Sequence, residues 1–279
     1  MTRTARAAAC GRVLAAALAP AIVASAAPPV VAAGSAYAWR KDAAPLPADT
    51  LAARIPPPAG FTRTEAPPQS FAAWLRGLPM KVAGAPVHLH TGVRKARQDV
   101  HAAVVDIDTG PRDLQQCADA IMRLRAEWLW SGGRRAEIGF DYTDGKRRSF
   151  SATGRTDYAG FRKYLDAVFA YAGTYSLERE LEPVGAGDIE VGDVFIKGGF
   201  PGHAVLVADM ATDAAGARRF LLVQSYMPAQ EIHVLKNPAA ADGSPWYAAP
   251  VAYPFVTPEW TFPAASLKRW PARAAGRKG

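Results

Sequence analysis

The chain has very little cysteine, two residues in 279, at Cys10 and Cys117. That scarcity excludes a disulfide-rich scaffold and the four-ligand cysteine spacings of structural zinc. Beyond the first residues there is no run approaching the roughly 20 apolar residues of a membrane span. RNA-binding aromatic motifs, zinc-finger spacings and internal repeats are also missing, which leaves nothing in the sequence to recruit nucleic acid.

The start of the chain reads as an export signal. Arg3, Arg6 and Arg12 form a basic region, Val13 to Val23 an apolar one, and Ala24-Ser25-Ala26 a cleavage site. Small residues as late as Ala36 or Ala38 serve equally well, so the signal ends between residues 26 and 38. Cys10 precedes the apolar run, the wrong order for a lipid-modified cysteine, and leaves with the signal. Cys117 is then the single thiol of an exported, periplasmic or extracellular chain with no integral membrane span and no nucleic-acid partner.

Residues 27–65 form a leader rich in Pro and Ala, and its prolines exclude long helices. A single domain follows over 66–270, with a basic tail at 271–279 that reads as a solvated end within a formal charge of +8. The 49% hydrophobic content is enough for a substantial core.

Within the domain, Ser70 caps a short helix through Leu78, and Val87 to His90 and Ala102 to Asp108 read as strands. The best helix follows. Leu114, Cys117, Ala118, Ile121, Leu124 and Trp128 recur at three- and four-residue steps, with Arg123, Arg125 and Glu127 largely off that stripe. Asp113 and Gln116 have the spacing of a capping box, placing Cys117 in the first turn. Ala136 to Tyr142 and Arg147 to Ala152 form a hairpin through Asp144-Gly145, and Tyr158 to Tyr171 a second helix. Strands then dominate, at Asp193–Lys197, His203–Met210, Phe220–Tyr226 and Glu231–Leu235. Helices first and antiparallel strands afterwards give an α+β domain.

A thiol at a helix N-terminus faces unpaired backbone N–H groups and the positive end of the helix dipole, which favour thiolate and can hold an oxyanion. Gln115 or Gln116 offers a second oxyanion or substrate donor. A base is also needed, and His203 opens a strand after the turn G-G-F-P-G-H. Gln224, polar within F-L-L-V-Q-S-Y-M on the following strand, is suited to orient the imidazole. His88 and His90 alternate as metal ligands can, yet they lack an acidic or cysteine partner, so neither a metal nor any other cofactor is assigned. His233 reads as an alternative base or a structural residue. Trp246, Tyr247, Tyr253, Trp260 and Phe262 read as pins for a long C-terminal segment or as a groove lining. Asp106 and Asp108 read as turn caps.

The order of a cysteine opening a helix, a Gly-Asp strand, a Gly-His strand and a polar residue on the next resembles the NlpC-type branch of the papain-like cysteine peptidases. Gln116 stands where those enzymes usually carry an acidic residue. The resemblance implies a papain-like core with the cysteine helix packed on an antiparallel sheet, and Cys117, His203 and Gln224 as catalytic residues. It also implies cleavage of amide bonds in cell-wall peptides or similar envelope substrates through a Cys117 thioester. Over Ala66 to Trp270 the chain is similar to a bacterial exported family known only as a domain of unknown function. The segments that carry this second likeness are D-I-D-x-G-x-R-D-L-Q-Q-C-A-D-A, P-G-H-A-V and Q-S-Y-M-P-A-Q-E-I-H-V-L-K-N-P. Two other readings stay open: an envelope-binding module with an inert thiol, and an acyl or lipid transferase or esterase.

Overall fold

The run Ala204-Val205-Leu206-Val207-Ala208 has no polar alternation, and such runs belong to strands covered on both faces. In the computed structural model, which describes residues 1–2, 37–40 and 49–271, it lies at the centre of the sheet. Residues 3–36, 41–48 and 272–279, which hold the expected export signal, the first part of the leader and the basic tail, lie outside the described residues.

The fold is α+β, a large antiparallel sheet with helices. Strands β2 (His101–Val104), β5 (Glu182–Pro183), β6 (Val194–Lys197), β7 (His203–Asp213), β8 (Arg218–Gln224), β9 (His233–Leu235) and β13 (Leu267–Arg269) run in the order β2-β9-β8-β7-β6-β13-β5. Two further strands attach at its side: β1 (Phe61–Arg63) to β7 and β10 (Tyr247–Ala249) to β8. The hairpin through Asp144-Gly145 is present as β3 (Gly139–Asp141) and β4 (Arg147–Ser149). A second small pair joins β11 (Phe255–Val256) and β12 (Thr261–Phe262).

Alternation splits β7 between two cores. Ala204, Leu206 and Ala208 join the larger one with the cysteine helix, whereas Val205 and Val207 join a smaller one with Phe195, Phe220, Phe255 and Phe262.

Helix α3 (Cys117–Ser131) follows the short helices α1 (Leu51–Arg54) and α2 (Phe71–Arg76). It is rich in Ala, Leu and Met and ends at Gly132-Gly133, where Gly133 adopts φ 71°, a left-handed conformation suited to a helix stop. Its capping frame sits three residues later than the spacing of Asp113 and Gln116 implies. Gln116 is the N-cap, and the Asp119 carboxylate accepts its backbone N–H at 3.0 Å. Asp113 is thereby free to accept Ala229 N–H at 2.6 Å and the Gln116 side-chain amide at 3.0 Å.

The amphipathic reading of α3 is also corrected: Arg123 and Glu127 are buried at 0% and 1% exposure. The helix is enclosed by the sheet and by α4 (Tyr158–Tyr171) and α5 (Thr174–Glu180), so its charged residues are paired inside. Arg123 holds the Asp108 carbonyl and carboxylate (2.7 Å) and the Gln115 side-chain Oε1 (2.6 Å), and Arg162 from α4 takes the other Asp108 oxygen at 3.1 Å. Val87 to His90 pairs only through isolated bridges at His88 and Leu89, and the strand expected over Ala102–Asp108 stops at Val104.

The last part of the leader is built into the domain. Asp209, on β7, is completely buried and accepts Arg63 from β1 and Arg76 from α2, each at 2.6 Å. Arg63 in turn donates to the Ala52 and Ile55 carbonyls at 2.8 and 2.6 Å. Removing one partner of a buried ion pair strands the other charge. Asp209→Ala is therefore expected to lower unfolding free energy by about 3 kcal/mol in urea titration.

Candidate active site

Three local structures bring the site together. The first is the α3 N-terminus, which places Cys117 at the first helical position. The second is the turn before β7, whose Gly202 is packed so closely that a Cβ would come within 2.2 Å of Thr174 Oγ1. The third is the end of β8, where Gln224 lies in register opposite His233 of β9. Hydrogen bonds join the first and third: Ser225 Oγ donates to the Gln115 carbonyl at 3.1 Å, and Asp113 holds Ala229 N–H.

His203, Gln224 and Cys117 are 1%, 1% and 5% exposed. His203 Nε2 lies 2.9 Å from Gln224 Oε1. An amide oxygen only accepts, so Nε2 carries the proton and Nδ1 keeps its lone pair. The Gln224 orientation is itself fixed, because its nitrogen donates to Glu259 Oε2 at 2.7 Å and approaches His233 Nε2 at 3.3 Å. His233 Nδ1 lies 2.9 Å from the Glu231 carbonyl and must donate there, which leaves Nε2 as the acceptor. Glu259 closes the chain on Lys95 Nζ, at 2.6 and 2.7 Å. The result is a buried line of polar groups: His203, Gln224, then Glu259 with Lys95, and His233 at the side.

Aromatic rings enclose the imidazole: Tyr226, Trp260 and Phe262 have centroids 4.8, 5.3 and 5.9 Å from it. Burial lowers the His203 pKa to about 4 against a weaker raising effect of Gln224, and burial lowers His233 to about 3. Both rings are neutral at pH 7.

Burial also pushes the Cys117 thiol up to about 12, a rise to which an ionised Asp119 would add, while N–H groups of Ala204, Ala118 and Cys117 itself pull the other way. The helix terminus thus acts on the thiol as expected, yet desolvation outweighs it, and Cys117 rests as a thiol. No hydrogen bond joins its sulfur to the imidazole. Cys117 lines a cavity of about 200 Å³ shared with Gln116, Asp119, Thr174, Gly202 and Met227.

The candidate glutamines are placed differently. Gln116 lines the cavity, with its amide nitrogen on Asp113. The Gln115 side chain turns into Arg123 and the Asp108 carbonyl, so it supports the loop before the thiol. His88 Nδ1 is 3.3 Å from Glu231, and His90 Nδ1 is 3.3 Å from the Pro111 carbonyl. Asp106 pairs with Arg40 at 2.7 Å. Trp246 and Tyr247 are buried and donate to the Pro56 and Lys236 carbonyls at 2.9 and 2.6 Å, pinning the C-terminal segment.

The three segments quoted above as D-I-D…D-A, P-G-H-A-V and Q-S-Y-M-P-A-Q therefore meet around one thiol. The model of the family described as "Domain of unknown function (4846)" matches residues 51–156 and 151–269. The chain belongs to this family. No curated protein and no solved structure matches it. Cys117 and every residue of the polar line fall within the matched region: Lys95 and Cys117 in its first part, His203, Gln224, His233 and Glu259 in its second. No helix among the described residues is long and apolar enough to cross a membrane.

Sequence reasoning missed Lys95 and Glu259. Glu259 carries a readable signal, a lone carboxylate within the apolar stretch V-T-P-E-W-T-F, which needs a buried partner. Lys95 sits among other basic residues and carries none.

Two outcomes follow from these charges. Glu259→Ala leaves the Lys95 ammonium buried without a counter-charge and is expected to lower stability by about 3 kcal/mol in urea unfolding, with Lys95→Met recovering most of the loss in the double variant. The histidines bind protons more weakly folded than unfolded, so stability is fully present above pH 6.5 and falls as pH drops toward about 4 and then about 3. His203→Gln is expected to lose about 3 kcal/mol less than the wild type between pH 7 and 4, measured by urea unfolding at each pH.

Proposed function

We propose that this protein is an exported cysteine hydrolase with a papain-like core that cleaves amide bonds, with Cys117 as nucleophile, His203 as base and Gln224 as the residue that orients the base. The observation that carries the reading is the His203 Nε2 to Gln224 Oε1 hydrogen bond of 2.9 Å. It leaves Nδ1 basic on the residue next to Ala204, whose N–H lies against the thiol. Cell-wall peptides or similar envelope peptides are the substrate class, drawn from the NlpC-type resemblance and the export signal.

The resting protonation states set the mechanism. Burial disfavours both the Cys117 thiolate and the His203 imidazolium, so a thiolate and imidazolium pair is not the ground state. In this reading the proton passes from Sγ to His203 Nδ1 as sulfur bonds to the substrate carbonyl carbon, after the ring and the thiol have closed up. Backbone N–H at the start of α3 holds the oxyanion, with Gln116 as the side-chain donor at the cavity. The imidazolium then gives its proton to the leaving nitrogen as the C–N bond breaks. Water, deprotonated by the same ring, attacks the thioester carbonyl, and the ring returns that proton to Sγ as the C–S bond breaks and the carboxylic acid leaves.

A second reading is favoured by the 5% exposure of Cys117: a non-catalytic envelope-binding module whose thiol is inert. The decisive experiment incubates wild type and Cys117→Ala with envelope peptides and with a generic thioester-forming amide and ester. Turnover by the wild type that Cys117→Ala abolishes is the expected result. Turnover of esters alone would favour the acyl transferase or esterase reading, and peptide binding equal in both proteins without turnover would favour the binding module. Iodoacetamide labelling of the resting protein is expected to be slow at pH 7 and slower still when an amide substrate occupies the cavity and acylates Cys117.

A further inference from the structure

Asp119 is 5% exposed, lies two residues after the thiol and lines the same cavity. Its Oδ2 accepts the N-cap N–H of Gln116 at 3.0 Å, while its Oδ1 is buried without a hydrogen-bond partner. Burial raises its pKa well above the ordinary carboxylate range, outweighing the two N–H groups that favour the ionised form. A buried oxygen without a partner is costly, and a carboxylic acid whose one oxygen accepts from the backbone carries its proton on the other.

We propose that Asp119 is a substrate-binding group of this cavity, donating a hydrogen bond from Oδ1 to an amide carbonyl oxygen of a peptide that lies across the α3 N-terminus. The inference rests on the reading of this cavity as the substrate's site but does not require turnover. The cavity's other walls fit an uncharged peptide backbone. Phe169, Ala172 and Gly173 present no charge, the Asp113 carboxylate that also lines the cavity already accepts Ala229 N–H and the Gln116 amide, and beside them the Gly199–Gly202 turn carries Phe200 at 84% exposure. The cavity volume, about 200 Å³, takes one or two small residues. A neutral donor here also removes the negative charge that otherwise opposes ionisation of Cys117.

The test uses the full chain with Cys117→Ser, titrated with acetyl-Ala-Ala-amide and with Ala-Ala-amide, which bears a free ammonium. Backbone amide signals of Gly173, Thr174 and Gly202 report binding by NMR. The acetylated peptide is expected to bind. Asp119→Ala should weaken it about tenfold, and Asp119→Asn, whose amide can donate in the same place and accept from Gln116, should stay within about twofold of the parent. In the infrared spectrum of the parent, a protonated-carboxyl band absent from Asp119→Asn should shift when peptide is added, a readout that does not depend on how Asp119→Ala folds. Preference for the free ammonium, with Asp119→Asn as weak as Asp119→Ala, would overturn the proposal in favour of a carboxylate that binds amines. Failure of the acetylated peptide to bind the parent, or the absence of the carboxyl band at pH 7, would overturn it outright. Thiol labelling and turnover, measured on the unsubstituted protein, report separately on the hydrolase reading.

Discussion

The Gln224 amide is the constraint on which the polar interior depends. It has one accepting oxygen and two donating hydrogens, and its nitrogen meets two groups that only accept, Glu259 and His233 Nε2, which turns its oxygen to His203. Rotating the amide would set its oxygen against a carboxylate and an unprotonated ring nitrogen, so the orientation is fixed by chemistry. The His203 tautomer follows from it, and the His233 tautomer, set by the Glu231 carbonyl, agrees with it. Glu259 then requires a counter-charge, and Lys95 supplies one from a segment far away in the chain. A strand glutamine thus couples the central strands to the C-terminal segment that covers the imidazole.

Around the thiol the balance is different. The helix N-terminus contributes N–H groups that favour a thiolate, but these are fixed dipoles acting on a group removed from water, and desolvation is larger. A short polar chain behind the imidazole does not change this, because Gln224 carries no net charge with which to hold an imidazolium. The site is therefore neutral at rest. Any hydrolysis by it must develop charge along the reaction path, where the same low-dielectric surroundings make each oriented donor more effective.

The support of that site extends into the helix. Arg123 is buried, and it satisfies its donors on Asp108 and Gln115, which flank the loop leading to Cys117. Glu127 and Tyr158 share a hydrogen bond of 2.7 Å on the next turn. A charge inside the helix stripe is normally unfavourable, and here its effect is to tie the loop before the thiol to the middle of α3.

Much of this was legible in the sequence. Apolar periodicity and turn residues located the helix Tyr158–Tyr171 to the residue, the hairpin through Asp144-Gly145 and the run of strands from residue 193 onward, because these depend on local spacing. The lone thiol, the Gly-His strand and the polar strand residue were legible as a possible group for the same reason. The capping frame of α3 was not, since Asp113 and Asp119 both have acceptor side chains near the helix start, and only the position of Ala229 decides which one caps. The burial of Arg123 and Glu127, the pairing of Glu259 with Lys95 and the protonated state of Cys117 were also beyond it. Each depends on how completely other segments exclude water, a property of the packed whole. The sequence by itself determined which elements form and which residues carry reactive groups. The tertiary structure decided which charges are desolvated and paired, because desolvation is set by neighbours distant in the chain.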